Sequence, residues 1–344
     1  MALISRFKLR DREHFKKYVN IELQLVKKEW KVLLPVSRMY VMRTLYDRDP
    51  DMACFTDVHG VFHNLAYWMQ AHKLSVEQRF ALHDLGFSLM PELSEANSHI
   101  SEYLVFGAVF APAILLVLTI PLFKQDPKQP RYLAIVLKRV LLHISIALVF
   151  RIISFLVTTL PAPARQCRLN FDDTCLAANP NDPVKCVIPN PDFKPPSGSE
   201  FFTNMDALKG CGDLMYSSHT IYTMSFILTV TKYWWNKYLF VGMICVQIVI
   251  AFMIVASRKH YSLDVFSALY IVPLLWFTQD AYLKDINNKD VQINAKTIQE
   301  FYGVDISDDL QSDTVSVSTD VEQGVALTPS ANASNAPFER KNSL

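Results

Sequence analysis

Two stretches of the 344-residue chain decide its fold: YLVFGAVFAPAILLVLTIPLF, residues 103–123, and YLFVGMICVQIVIAFMIVAS, residues 238–257. Neither stretch contains a charged side chain. An uncharged apolar run of about 18 residues or more is long enough to cross the ~30 Å hydrocarbon layer of a bilayer as a helix. The two stretches therefore predict an integral membrane protein and exclude an ordinary soluble one.

The composition agrees with a membrane protein. Hydrophobic residues make up 51% of the chain and charged residues 19%, against about 25% charged residues in a typical soluble protein. The formal net charge is +1, which gives no support to nucleic-acid binding, because that function needs a basic excess on one domain. Nucleic acid is therefore not an expected partner.

Four further stretches contain ionisable residues but are long enough to complete a set of six spans. The six predicted spans are residues 52–72, 103–123, 140–160, 214–231, 238–257 and 261–279. The fold class expected from them is an all-α integral membrane protein with six transmembrane helices, a lumenal loop and a disordered cytosolic tail. The six helices would form one membrane domain over residues 51–283.

Basic residues predict the orientation of these spans. Residues 1–49 carry 12 Lys or Arg against six Asp or Glu, and more basic residues lie beside the loops after the second and fourth spans. Because positive residues stay in the cytosol, both termini are expected there. Residues 1–50 would be a basic cytosolic segment, and residues 284–344, rich in Ser, Thr, Asp and Asn, a largely disordered cytosolic tail.

The longest outer loop, residues 161–213, is rich in Pro, Asn and Asp, which predicts irregular structure. Four of the six cysteines lie in it: Cys167, Cys175, Cys186 and Cys211. Because disulfides form outside the reducing cytosol, at least one bridge is expected, with all three pairings open. Cys54 and Cys245 fall inside predicted spans. The Cys and His spacings do not resemble a zinc site, and neither a metal nor a cofactor is expected.

Three ionisable residues fall at one predicted membrane level, which makes them candidates for function because such groups are costly in a bilayer. His219 lies about one turn into the fourth span, and His260 lies just before the sixth. Asp264 follows His260 at a spacing that places both on one helix face, so its carboxylate would orient the imidazole. One histidine would then attack phosphorus while the other protonates the departing oxygen.

Other residues around these three would suit a phosphate-bearing ligand. Ser217 and Ser218 precede the body of the fourth span, where free backbone N–H groups attract anions. Arg258 and Lys259 are basic residues at the outer face and would hold phosphoryl oxygens. Arg151 lies in mid-span and needs a partner, which would be either the donor phosphate or an inward carboxylate.

Two motifs carry a resemblance to a known family. CGDLMYSSHT, residues 211–220, resembles the CGDxxxSxHT motif of the sphingomyelin synthase family, and SRKHYSLDV, residues 257–265, looks like its HYxxDV motif. RIISFLVTTLPAPARQC, residues 151–167, and HDLGF, residues 83–87, are similar to further family segments. The resemblance covers roughly residues 50–283, and the lipid phosphate phosphatase group is similar more distantly.

The resemblance implies a two-step, metal-independent transfer between a glycerophospholipid and ceramide. His260, held by Asp264, would take the phospho-headgroup and release diacylglycerol; ceramide would then take it from the phosphohistidine, with His219 as acid and then base. The wording ASRKHY and YSSHT looks closer to the plant and protist inositol phosphorylceramide synthase branch. Phosphatidylinositol is therefore the expected donor, with phosphatidylcholine or phosphatidylethanolamine as the alternative.

Three residues keep two interpretations each at this stage. Asp213 would position ceramide or His219, or else act as a helix N-cap. Tyr216 and Tyr261 would line the headgroup pocket, or else be ordinary interfacial tyrosines.

Other functions compete with the transferase. A lipid phosphatase or phospholipase C-like hydrolase would use water as acceptor. A channel or transporter is disfavoured because no matching pair of broken helices is visible, and an inactive lipid-binding scaffold is disfavoured by the intact triad. The Golgi is the expected location, with the endoplasmic reticulum and plasma membrane as alternatives, and the sequence leaves open whether the protein is a monomer or a homo-oligomer.

Overall fold

The structure is a computed structural model. It describes residues 12–38, 58–123, 131–203, 211–234 and 237–282, together with Gln299 and Gly303. Cys54, the beginning of the first predicted span and the predicted tail, apart from those two residues, lie outside the described residues. The chain is mostly helical, as the sequence predicts.

The helices follow one another with little strand between them. They are α1 (Arg12–Arg38), α2 (Val58–His72), α3 (Leu85–Leu89), α4 (Glu95–Ser98), α5 (Ile100–Leu122), α6 (Leu133–Val157), α7 (Asp173–Ala178), α8 (Glu200–Thr203), α9 (Ser218–Tyr233), α10 (Lys237–Ala256) and α11 (Ser262–Tyr282). Short 3-10 turns cover Glu77–Arg79 and Pro183–Cys186, and the strands are β1 (Asn170–Phe171) and β2 (Val187–Ile188).

Four helical segments in the described part of the chain are long and apolar enough to cross a membrane. They are Ala96–Leu122, Leu133–Val157, Lys237–Ala256 and Ser262–Tyr282, and they correspond to the second, third, fifth and sixth predicted spans. The helices at the first and fourth predicted spans, α2 and α9, have 15 and 16 residues. At 1.5 Å per residue, α9 is about 24 Å long, shorter than the hydrocarbon layer, and the described part of α2 is about 22 Å long.

The helix of the third predicted span begins about two turns earlier in the structure than the sequence indicates. The third span was expected from residue 140, but α6 begins at Leu133 because the basic residues before residue 140 have acidic partners inside the bundle. Lys138 Nζ lies 3.0 Å from Glu29 Oε2, and Arg139 pairs with Asp280. Pairing offsets much of the cost of burying a charge, so the helix continues through both residues.

Helix α9 is the centre of the bundle, since it packs against α5, α6, α10 and α11. Its buried apolar side chains, such as Ile221 and Val230, join one core with Leu148 of α6 and Val272 of α11. The N-terminal helix α1 adds Tyr18, Ile21 and Leu25 to the same core. The predicted cytosolic segment therefore contains a helix that is part of the folded unit.

Helix α6 connects two ends of the bundle that differ in character. Its first residue, Leu133, donates its backbone N–H to the Glu22 carboxylate of α1. Arg151, about 27 Å further along the same helix, contacts the loop that precedes α9. The loop before α9 and helix α1 therefore lie at opposite ends of the bundle.

The outer loop between α6 and α9 is held by two disulfides, Cys167–Cys211 and Cys175–Cys186. The prediction of at least one bridge is confirmed. The prediction of irregular structure is wrong in part, because β1 and β2 pair antiparallel and α7 lies between them. Cross-links restrict the conformations of the unfolded loop, and this restriction stabilises such small elements. Cys245, a predicted span residue, is a free and exposed thiol in α10.

We expect peptide mapping of the unreduced protein by mass spectrometry to recover these two cross-linked pairs. Each bridge joins cysteines whose Cα atoms are 5.7 and 5.4 Å apart respectively, within the range that a disulfide spans. Prior reduction and alkylation supplies the control, since it should release all four loop cysteines as separate peptides. Recovery of a Cys167–Cys175 pair would contradict the assignment.

Candidate active site

The structure brings together the three residues that the sequence placed at one level. His219 lies in the first turn of α9, His260 lies two residues before α11, and Asp264 lies in the first turn of α11. The His219 and His260 ring centroids are 5.7 Å apart with the rings inclined by 74°. His260 Nδ1 lies 3.4 Å from Asp264 Oδ2, which is longer than a strong hydrogen bond; such contacts are often long before substrate binds.

The Asp264 carboxylate is fully buried and joins the two motifs. Its Oδ2 accepts the backbone N–H of Tyr261 at 3.0 Å, and its Oδ1 accepts the backbone N–H of Met215 at 3.1 Å. Its backbone carbonyl accepts the N–H of Ser217 at 3.1 Å. One residue therefore orients His260 and also fixes the loop that leads to His219.

Arg151 holds the same loop from the opposite side. Its Nη2 donates to the carbonyl of Asp213 at 2.7 Å and to Asp213 Oδ2 at 2.6 Å. Its Nη1 donates to the carbonyls of Met215, at 3.2 Å, and Tyr216. Of the two partners considered for this mid-span arginine, the structure shows the inward carboxylate.

The loop that Arg151 and Asp264 hold has an unusual backbone. Met215 and Tyr216 have φ values of +79° and +52°, in the left-handed region that costs non-glycine residues energy. The turn points carbonyl groups at Arg151 while the Met215 amide reaches Asp264. It also explains why α9 begins at Ser218 and not at the predicted Leu214, because these residues cannot continue a helix.

Asp213 has a partner that sequence reasoning missed. Its Oδ2 lies 3.0 Å from His63 Nδ1 in α2. Partial burial alone would raise the pKa of the Asp213 carboxyl, but the charges of His63 and Arg151 hold that pKa well below its ordinary range. The alternative of Asp213 as a helix N-cap is wrong, since Ser217 occupies that position before α9. An ionisable residue inside a predicted span was the signal that would have singled out His63.

Several buried polar atoms at the site have no hydrogen-bond partner among the described residues. They include Ser217 Oγ, Arg151 Nε and His219 Nδ1. Such atoms are rare in a folded protein and mark places where water or a ligand completes the hydrogen bonding. Ser218, which was grouped with Ser217, is the first residue of α9.

The other predicted binding residues contact protein groups. The Tyr261 hydroxyl donates to the Pro161 carbonyl at 2.7 Å and accepts the Leu82 N–H at 3.0 Å, while Tyr216 is half-buried and packs on the core. Arg258 Nη2 donates to the carbonyls of Phe87 and Met90 at 3.0 and 2.9 Å. Lys259 pairs with Glu102. Phosphate binding by Arg258 and Lys259 therefore stays a prediction.

The HDLGF segment has a role that the sequence did not reveal. Asp84 accepts the Ser262 N–H at 2.8 Å and the Ser262 hydroxyl at 2.7 Å, so it caps α11 from outside the helix. A side chain on Gly86 would overlap the Ser262 hydroxyl. Together with the Arg258 contacts, this segment holds the turn that presents His260.

Gly212→Ala is expected to lower the unfolding temperature of the purified protein. Gly212 has φ +89°, and an added Cβ would lie 2.8 Å from the Ala66 carbonyl oxygen of α2. Forcing alanine into this conformation costs about 1–3 kcal/mol. Gly242→Ala is the matched control, because an added Cβ there meets nothing within 4 Å. Equal unfolding temperatures for the two variants would show that Gly212 is not under this constraint.

Residues 210–281 match the family model described as PAP2 superfamily C-terminal. The matched region contains both motifs and all three of His219, His260 and Asp264. The paired histidines therefore lie in a PAP2-type membrane domain.

Curated proteins similar to this chain give a more specific assignment than the PAP2 family model. The chain is 34% identical to phosphatidylinositol:ceramide inositolphosphotransferase 2 of Arabidopsis thaliana over 208 residues, which are 60% of this chain and 62% of that protein. It is 30% identical to the rice (Oryza sativa subsp. indica) phosphatidylinositol:ceramide inositolphosphotransferase over 271 residues, 79% of this chain and 71% of the relative.

A shorter match, 32% identical over 84 residues, covers 23% of this chain and 17% of sphingomyelin synthase-related 1 of Caenorhabditis elegans.

Because the match to the rice protein covers 71% of that relative at 30% identity, the chain belongs to the sphingolipid synthase family that includes the plant phosphatidylinositol:ceramide inositolphosphotransferases. It spans somewhat less than two thirds of the Arabidopsis relative's length.

Proposed function

We propose that the protein is a phosphatidylinositol:ceramide inositolphosphotransferase. It moves the phosphoinositol group of phosphatidylinositol to the primary hydroxyl of ceramide and releases diacylglycerol. The observation that carries this proposal is the pair of histidines, 5.7 Å apart, with Asp264 beside His260. The names of the plant relatives support the pair of substrates.

The first step uses His260 as nucleophile. Because Asp264 faces Nδ1, the opposite nitrogen, Nε2, is free to attack phosphorus while Asp264 accepts the Nδ1–H. The bond from phosphorus to the glycerol oxygen breaks. His219 donates a proton to that oxygen, so diacylglycerol leaves neutral and His219 becomes a base.

The second step runs the same chemistry toward ceramide. Neutral His219 takes the proton of the ceramide hydroxyl, and the hydroxyl oxygen attacks the phosphorus held on His260. The phosphorus–nitrogen bond breaks and His260 returns to its starting state. Both histidines are thereby restored, so the cycle needs no additional reactant.

The loop before α9 prepares the site for phosphoryl oxygens. The Ser217 hydroxyl is fully buried and has no protein partner in the described part of the chain, so it is available to donate to the phosphate. The free N–H groups at the beginning of α9 add positive potential. Arg151 and Asp264 fix the loop from two sides, which keeps these donors in place before substrate arrives.

For the topology, we propose that α2 and α9 are short spans that complete a set of six. Both termini then lie in the cytosol and the histidines face the lumen, with the Golgi membrane as the location. The excess of basic residues near the N-terminus supports this orientation. The two disulfides support it as well, because they belong to the end of the bundle that carries the histidines and require an oxidising compartment.

A panel of donors tests the function. Purified full-length protein in liposomes would receive labelled ceramide, a chelator, and phosphatidylinositol, phosphatidylcholine or phosphatidylethanolamine. We expect inositol phosphorylceramide from phosphatidylinositol and little product from the other donors. Product from phosphatidylcholine or phosphatidylethanolamine alone would assign a different headgroup. Donor hydrolysis with unchanged ceramide would assign a hydrolase.

A further inference from the structure

Helix α1 exposes an apolar stripe that no described part of the chain covers. Phe15, Val19, Leu23 and Val26 are 39%, 37%, 56% and 43% exposed. Their spacing of three and four residues places them along one side of the helix. We call these four side chains the α1 stripe.

The α1 stripe is distinct from the face that packs on the bundle. Tyr18, Ile21 and Leu25 form that buried face, with exposures between 0% and 7%. At 100° per residue the stripe is centred about a third of a turn away from it. Helix α1 therefore has two apolar faces, and it uses only one of them for contacts within the described part of the protein.

The remainder of α1 is strongly basic. Among the described side chains of this helix, the exposed basic residues are Arg12, Lys16, Lys17, Lys27 and Lys28, and the exposed acidic residue is Glu13. The other two acidic residues, Glu22 and Glu29, face α6, where they contact Leu133 and Lys138. The acids are turned inward and the bases outward, so the outer surface has a positive potential.

The position of α1 places this surface at one edge of the membrane domain. Its buried face contacts the last turns of α5, near Ile120, and the first residues of α6, near Tyr132. Both are ends of helices that are long enough to span a bilayer. The same ends expose further apolar side chains, including Leu122 at 44% and Leu137 at 46%, so α1 and its neighbouring helices all expose apolar side chains at this end of the bundle.

We propose that α1 lies along the surface of an anionic bilayer leaflet, with the α1 stripe inserted among the lipids and the basic residues at headgroup level. An apolar side bordered by Lys and Arg is the arrangement that interfacial helices use. Each basic residue near the surface adds to the attraction for an anionic leaflet. In the proposed topology this leaflet is the cytosolic one, opposite to the catalytic histidines.

Depth-dependent quenching tests this proposal on the full-length protein. Cys54 and Cys245 would be replaced by serine, and an environment-sensitive dye attached to Val19→Cys or Leu23→Cys. Asn20→Cys and Gln24→Cys, both exposed on the polar side, are the matched controls. Each labelled protein would be placed in nanodiscs with phosphatidylserine and either nitroxide-labelled lipid or aqueous iodide. An unchanged unfolding temperature would confirm that the labelled protein is folded.

We expect nitroxide lipid to quench the dyes at residues 19 and 23 about twofold or more strongly than those at 20 and 24, with iodide showing the reverse. Lipid quenching at residues 19 and 23 should be weaker in nanodiscs of phosphatidylcholine alone. It should also be weaker in a triple variant with Lys16→Gln, Lys17→Gln and Lys27→Gln. Equal quenching at all four sites would overturn the proposal. Lipid quenching of equal strength with and without phosphatidylserine would overturn it as well. Shielding of residues 19 and 23 from both quenchers would also overturn it, because the α1 stripe would then be covered by a protein contact.

Discussion

His260→Ala is expected to abolish headgroup transfer to ceramide while leaving a folded, membrane-inserted protein. Without the imidazole, no group in the proposed mechanism attacks phosphorus, so the covalent step is lost rather than slowed. His219→Ala should also abolish turnover, because the leaving diacylglycerol oxygen would lack its proton donor. The measurement is labelled ceramide converted to product by purified protein in liposomes.

A covalent intermediate provides the direct evidence. Unmodified protein incubated with phosphatidylinositol, but without ceramide, should carry an acid-labile phosphoinositol group on the peptide that contains His260. His72→Ala is a suitable control, since His72 is exposed at the end of α2 and has no role in the mechanism. Substantial transfer by His260→Ala, or a label on a different residue, would show that the roles of the histidines are wrongly assigned.

Asp264→Asn is expected to lower kcat by about four orders of magnitude, the size of the loss when the orienting carboxylate of a serine protease becomes an amide. The structure adds a second reason. Both carboxylate oxygens accept backbone N–H groups, from Tyr261 and Met215. An amide has only one acceptor oxygen, so in either orientation its NH₂ group would face one of these donors. The loop before α9 would shift together with His260.

Measurements of both unfolding temperature and kcat distinguish a loss of catalysis in Asp264→Asn from a loss of folded protein. The unfolding temperature of Asp264→Asn should fall by a few degrees, while kcat should fall far more at a temperature where the protein stays folded. Asp192→Asn, at an exposed position of the outer loop, should change neither. A loss of activity that only tracks the loss of folded protein would reduce Asp264 to a structural residue.

Hydropathy predicted the four long helices because most residues in each are apolar, and that property is local. The limits of α6 and α9 depend on distant residues. Arg139 is helical because Asp280, far along the chain, pairs with it. Leu214 lies outside α9 because Arg151 and Asp264 hold the preceding turn. No window of sequence around either residue contains that information.

The same distinction applies to the site. The spacing of His260 and Asp264 and the resemblance of the two motifs predicted which residues meet. The residues that hold them in place, His63 and Asp84, were not identified, because their roles depend on where α2 and the HDLGF segment pack. The cysteines were predicted to pair, but only packing of the outer loop decided which cysteine met which.

We expect formation of the Cys167–Cys211 bridge to be a maturation step for the protein. Cys211 immediately precedes Gly212 and Asp213, so the cross-link anchors one end of the loop that Arg151 and Asp264 then shape. A newly inserted chain would contain both histidines but not yet this cross-link. We expect it to become catalytically active only after Cys167 and Cys211 are oxidised to the disulfide. A reductant in the buffer would reverse that step without touching any group that takes part in the chemistry. Thiol reductants would therefore act as slow inactivators, and an activity measured in their presence would report the fraction of protein that still contains the bridge.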